Sequence, residues 1–291
     1  MVSKKNMNGK SKMMKLLICL LWCSFYFGQH NRIAYEYTYK ADSLHRERKE
    51  KEVMFLDISE KGSNFYSYPR YVYDSLKNAQ IHKTSSLKLS EYNFSNFQDK
   101  SKVKFSVKKV YPDYEILQQD QIGTTIYTIK KNNTLHWNIL PEKKKIKGFT
   151  VQKATTSFGG RKWVAWFTDE VPIQDGPYCF HGLPGLILDV EDSLGDHAFS
   201  LIGIKKEIPD FEITGTTGTI ISPEKFNQLW NNYRKYPSVS IKNIFLNSNI
   251  QASVSWNGEE MKQSDIIRNL EKRAKEELKT NNNFIELSLY E

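Results

Sequence analysis

A mainly β fold is the expectation for this chain: a curled antiparallel sheet or partial barrel, with one or two α-helices packed on it. Three observations predict it. Apolar and polar residues alternate with period two in several segments, which marks strands with one buried face. Glycine- and asparagine-rich turns punctuate those segments. Aromatic residues make up 13 % of 291 residues and supply large side chains for one core.

The segments run in order. Lys4, Lys5, Lys10, Lys12 and Lys15 precede an apolar run from Leu16 to Phe27 and then Gly28-Gln29. A basic start followed by about 12 apolar residues reads as a secretory signal peptide over 1–28, too short for the about 20 residues that span a bilayer. A single β-rich domain over 29–291 follows, exported to the periplasm or beyond and not integral to a membrane. Ile33, Tyr35, Tyr37 and Tyr39 share one side of a first strand, opposite Ala34, Glu36 and Thr38. Polar stretches at 41–51 and 85–100 read as loops. Val103, Phe105 and Val107 alternate with Lys104, Ser106 and Lys108. The basic run Lys143-Lys144-Lys145-Ile146-Lys147 reads as a solvated loop or edge strand. Gly159-Gly160 between two apolar-rich segments predicts a tight hairpin. Ser222 followed by Pro223 starts a helix with Phe226, Leu229 and Trp230 on its apolar face. A second helix runs from Ser264 to about Thr280, stopped by Asn281-Asn282-Asn283. Ile285, Leu287 and Leu289 then predict a final strand.

Charge and cysteine content narrow the function. The chain carries 42 Lys+Arg against 33 Asp+Glu. Removing the five lysines of the leader leaves 37 against 33, a net +4 that concerns solubility and gives no reason to expect nucleic acid. Cys19 and Cys23 leave with the leader, so Cys179 stays alone and no disulfide framework is available. Phosphate-binding loops, dinucleotide fingerprints, zinc-protease helices and serine-hydrolase elbows are absent from the sequence, and no cofactor is expected.

Chemistry-bearing residues gather between 163 and 197. Cys179 and His181, two apart, would point the same way in an extended segment, as a nucleophile and base of a thiol-dependent hydrolase or peptidase require. The same pair also reads as a buried thiol beside a hydrogen-bonded imidazole. Cys179, His181, Asp196 and His197 would suit copper or zinc. Asp189, Glu191, Asp192 and Asp196 offer oxygen ligands for calcium without the spacing of a regular calcium loop. Trp163 and Trp166 fall on opposite faces of their strand. Leu183-Pro184-Gly185-Leu186 fits a type II β-turn, with proline presetting φ and glycine supplying a positive one. Trp166, Asp175, Tyr178, Phe180, His181, Leu183 and Pro184 thus form a rigid, aromatic loop suited to ligand recognition, or to plugging an open sheet end.

Gly182-Leu183-Pro184-Gly185-Leu186-Ile187 carries a resemblance, together with Ala165-Trp166-Phe167, Val171-Pro172-Ile173, Asp175-Gly176-Pro177-Tyr178, Lys153-Ala154-Thr155-Thr156 and Gly160-Arg161. The chain resembles the GLPGLI family of exported Bacteroidetes proteins, for which no activity is established. The resemblance implies a periplasmic or surface accessory role beside a TonB-dependent outer-membrane receptor, with that receptor or a peptide-like ligand as partner. Basic residues commonly occupy the place of Cys179 in the family, so a cysteine there weighs against a shared thiol mechanism. An exported binding or accessory protein is the resulting expectation, ahead of a thiol hydrolase or of periplasmic copper or zinc handling.

Overall fold

The computed structural model describes residues 30–86, 98–132, 134–206, 218–238, 254–256 and 259–291; the leader lies outside them. Two meanders of antiparallel strands build the fold. The first comprises β1 (Asn31–Tyr39), β2 (Glu50–Ser59), β3 (Gly62–Ser67), β4 (Ser106–Val110), β5 (Glu115–Ile122) and β6 (Thr125–Lys131). The second comprises β7 (Asn138–Ile146), β8 (Phe149–Phe158), β9 (Arg161–Thr168), β10 (Leu186–Asp192) and β11 (His197–Lys205). β11 pairs with β1 and joins the two into one sheet. A short β12 (Thr219–Ile221) adds parallel to β6, completing twelve strands that run from β12 to β7 without closing. β7, with its lysine run, is the outer edge, where charged side chains discourage further pairing.

Alternation works as expected on β1. Ile33, Tyr35 and Tyr37 are buried while Ala34, Glu36 and Thr38 are half-buried. Gly159 and Gly160 join β8 to β9 at φ +61° and +82°, the positive pair that a two-residue hairpin requires. Trp163 is the buried tryptophan of β9, its indole N–H donating to the Phe158 carbonyl at 3.0 Å. Trp166 lies half-buried on the other face, with the Lys144 ammonium 4.0 Å from its ring centre.

Helices back the sheet near its C-terminal end. α2 (Pro223–Lys235) is capped by the Ser222 hydroxyl, which accepts from the Lys225 N–H at 3.2 Å, and buries Phe226 and Trp230. α3 (Gln263–Thr280) ends at Asn281; the N–H groups of Asn282 and Asn283 both donate to the Ala41 carbonyl at 3.0 Å. β13 (Val254–Trp256) and β14 (Glu259–Met261) form a separate ribbon.

Several expectations change. A further helix, α1 (Tyr68–Ser86), follows β3, in a stretch to which the sequence pattern assigns no element, and it ends just inside the expected 85–100 loop. Its sequence lacks an apolar stripe; the Ser67 hydroxyl accepts the Arg70 N–H at its start and Arg70 pairs with Asp74 one turn on. The second alternating segment becomes regular strand only at Ser106, although Val103 and Val107 are buried. No final strand forms: Ile285 enters the main core, and Leu287–Tyr290 is a short helical turn, α4. Leu289 packs with Phe226, Trp230, Ile122 and Ile129 in a second cluster, and Leu287 N–H donates to the Gly159 carbonyl at 2.7 Å. One alternating apolar triplet therefore serves two cores, which a strand would also have satisfied by pattern alone.

Candidate functional site

The connection between β9 and β10 folds back over the sheet. Asp175, Tyr178, Phe180 and Leu183 are buried there, His181 nearly so, and Pro184 is exposed. Leu183-Pro184-Gly185-Leu186 is not the expected type II turn. Gly185 N–H closes a three-residue turn on the Leu183 carbonyl at 2.7 Å, and Leu186 N–H donates instead to Val171 at 3.0 Å. Gly185 has φ +155°, and a Cβ there would lie 1.9 Å from the Thr168 carbonyl oxygen, so close backbone approach demands the glycine.

Of the two readings of this segment, a recognition loop or a plug of the open sheet end, the burial of Tyr178, Phe180 and Leu183 fits the plug, while Tyr178 also reaches the lining of a cavity. Lys109, wholly buried on β4, anchors the plug. Its ammonium lies 2.5 Å from Asp175 Oδ1 and donates to the carbonyls of Gly176 and Tyr178 at 2.7 and 2.9 Å. The Tyr111 hydroxyl donates to Asp175 Oδ2, and Gly176 N–H to Oδ1 at 2.6 Å. All three ammonium protons thus find acceptors, which a buried charge requires.

Cys179 and His181 do not form a catalytic pair. Phe180 N–H closes a β-turn on the Pro177 carbonyl at 3.1 Å, with Tyr178 at φ +54°, so the segment is not extended and the i, i+2 argument fails. His181 Nδ1 lies 2.9 Å from the Cys179 carbonyl oxygen, and its ring stacks on Tyr114. The thiol lies apart, 3.9 Å from Gln118 Oε1 and 4.0 Å from Glu286 Oε1. Burial pushes its pKa up to about 12, with the Lys131 charge opposing, and leaves almost no thiolate near neutrality.

The copper or zinc grouping is likewise dispersed. His197 Nδ1 pairs with the Tyr37 hydroxyl at 2.8 Å, while Asp196 is held by Lys40, Arg46 and Arg161. Burial, then the Arg161 charge, lowers the His197 pKa to about 3, so its ring is neutral. Of the calcium candidates, Asp189 accepts from Leu201 N–H at 3.1 Å and Asp192 from Arg161 at 3.1 Å, with Glu191 exposed. Among the described residues no group of three His, Cys, Asp or Glu could hold a metal.

What the plug brings to the neighbouring cavity is Tyr178. Its hydroxyl donates to Glu286 Oε1 at 2.5 Å and lies 3.0 Å from Gln118 Oε1. Lys131 Nζ donates to the same two oxygens at 2.5 and 2.6 Å. Gln118, Lys131, Tyr178 and Glu286 are all buried. A left-handed tyrosine costs about 1–2 kcal/mol of backbone strain, which these bonds and the Lys109 contact to its carbonyl offset.

Above this network lies a cavity of about 420 Å³ between the sheet, α2, α3 and the C-terminal segment. Tyr37, Tyr39, Phe105, Trp230, Tyr233 and Tyr290 give it aromatic walls, and Asp120, Glu277 and Glu286 give it carboxyl groups. Asp120 follows from the sheet's period: Ile116, Gln118, Asp120 and Ile122 share the inward face of β5. Half-buried, it accepts from the Tyr290 hydroxyl at Oδ2 and from Gln121 N–H at Oδ1, 2.7 Å. Gln118 Nε2 also donates to Oδ2 at 3.5 Å; burial raises the Asp120 pKa although these three donors and the Lys131 charge oppose the shift. Sequence reasoning missed these residues; their signal was a polar side chain at an inward position of an otherwise apolar strand face. A larger groove of about 800 Å³ lies nearby, but its wall carries Glu271, Lys275, Glu276 and Lys279, which pair with one another.

Fold and site together define an open β-sheet protein whose cavity is roofed by its own C-terminal segment. Residues 159–189 match the model of a family described as a protein of unknown function, Porph_ging. That segment is the β9–β10 pair with its plug, and it contains the run that carries the GLPGLI resemblance. No curated protein matches the chain. Two solved structures of PNGF-II, in P21 and C2 space groups, are similar over 69 % of this chain at 13 % and 14 % identity, each with TM-score 0.47. This chain spans about a third of their length, 33 % and 32 %. Among the described residues no helix is long and apolar enough to cross a membrane.

Proposed function

We propose that the chain is an exported binding protein that takes a small ligand into the cavity above Glu286 and Asp120. One observation carries the reading. Asp120 is a half-buried carboxyl group in an aromatic-walled cavity of about 420 Å³, with no ion-pair partner among the described residues. Desolvating such a group costs stability unless something is gained, and convergent polar groups in an apolar concavity are the ordinary form of a small-molecule site. The expected outer-membrane receptor then becomes the partner that receives or presents this ligand.

Indole ¹H–¹⁵N spectra test the reading, because Trp230 lines the cavity and Trp163 does not. Small molecules fractionated from the native periplasm should move the Trp230 signal and leave Trp163 in place. Ala274 also lines the cavity, so Ala274→Phe should fill it and abolish the movement. A Trp230 signal unmoved by every fraction would refute the proposal.

A further inference from the structure

We infer that the ligand of this cavity carries a cationic head, a primary or quaternary ammonium, seated against Asp120 among the rings of Tyr39, Trp230, Tyr233 and Tyr290. The inference rests on the binding reading and adds the chemical class. It follows from a count of charges around the cavity. Three carboxyl groups line it: Asp120, Glu277 and Glu286. Glu286 is matched by Lys131 at 2.5 Å. The lining lysines are committed elsewhere: Lys102 pairs with Glu50, and Lys104 with Asp99 at 2.8 Å. His197 is neutral because burial and Arg161 oppose its protonation. Asp120 and the exposed Glu277 at the rim are left without ion-pair partners among the described residues.

The walls favour the same sign. Aromatic faces carry negative potential, tryptophan most strongly, and attract a desolvated ammonium. An anionic ligand would meet Asp120, Glu277 and Glu286 together. A neutral polyol could bond these carboxyl groups but would add no positive charge beyond that of Lys131, which Asp120 shares with Glu286. An ammonium supplies both a positive charge and N–H or C–H donors to the lone pairs that Tyr290, Gln121 and Gln118 leave unused.

Four probes test the assignment: choline, n-butylammonium, 3,3-dimethyl-1-butanol as the neutral isostere of choline, and glucose. The readout is the Trp230 indole signal of the full mature chain. At least one ammonium should bind about tenfold or more tighter than the isostere, the range that a carboxylate and an aromatic wall supply. Asp120→Asn, whose amide oxygen still accepts from the Gln121 N–H while its amide N–H can donate to the Tyr290 hydroxyl oxygen, should remove most of that preference. Glu277→Gln, at an exposed position on the rim, should reduce it about twofold to threefold. Equal binding of isostere or glucose and ammonium, unchanged in Asp120→Asn and Glu277→Gln, overturns the charge assignment while the cavity stands as a binding site. Silence at Trp230 with all four probes also overturns it, and the native-fraction experiment then decides the binding reading separately.

Discussion

Replacing Lys109 by methionine should loosen the whole motif. The ammonium is fully buried against a fully buried Asp175 at 2.5 Å, and it satisfies two carbonyls of the plug as well. Methionine matches its length and leaves little cavity, so the cost is mainly electrostatic. Removing one partner of a buried ion pair costs about 3–5 kcal/mol, because the remaining charge stays desolvated. At about 2–4 °C per kcal/mol for a chain of this size, the melting temperature should fall by roughly 6–20 °C. Urea titration followed by tryptophan fluorescence measures the free energy directly. Replacing Asp175 by asparagine as well removes the stranded charge, so Lys109→Met/Asp175→Asn should recover at least about 1 kcal/mol relative to the sum of the singles. A Lys109→Met cost below about 1 kcal/mol, or strictly additive singles, would refute the claim that this pair anchors the plug.

Three further outcomes are expected. His197 has its folded pKa lowered from 6.5 to about 3, so its contribution to stability is complete above pH 6.5 and is lost as pH falls toward 3. At pH 5 the loss should be about 2 kcal/mol, and His197→Asn, which keeps an acceptor for Tyr37, should flatten that part of the urea-midpoint profile; parallel profiles would contradict the assignment. Cys179, with its pKa near 12 and its thiol fully buried, should resist iodoacetamide at pH 8 in the folded mature chain and react once unfolded in urea; rapid native labelling would contradict the placement. The motif glycines should differ, which circular-dichroism melts can rank. Gly182→Ala meets open space and costs about 1–2 kcal/mol of backbone strain, whereas Gly185→Ala must displace the Thr168 carbonyl and should cost about 3 kcal/mol or more.

Local signals in the sequence were legible where the physics is local. The buried face of β1, the positive-φ pair at Gly159-Gly160 and the Ser222-Pro223 helix start all appear where the residues put them. What escaped was long-range. Lys109, Gln118, Asp120 and Lys131 interrupt apolar strand faces, and their partners Asp175, Tyr178, Glu286 and Tyr290 lie 60 to 170 positions away. Nothing local pairs them. The Cys179–His181 spacing misled because a turn at Tyr178 breaks the extended geometry on which that argument depends. The α4 turn escaped because Leu287 and Leu289 satisfy a strand pattern while packing against different neighbours.

The run around Pro184 is architectural, and the proposed ligand site is the cavity beyond it. Indole spectra recorded while native periplasmic fractions are added separate the two most directly. Trp230 should move in the mature chain and in Pro184→Ala, whose side chain is exposed, and should stay still in Ala274→Phe. Movement confined to Trp166, on the far face beside Lys144, with Trp230 silent, would contradict it.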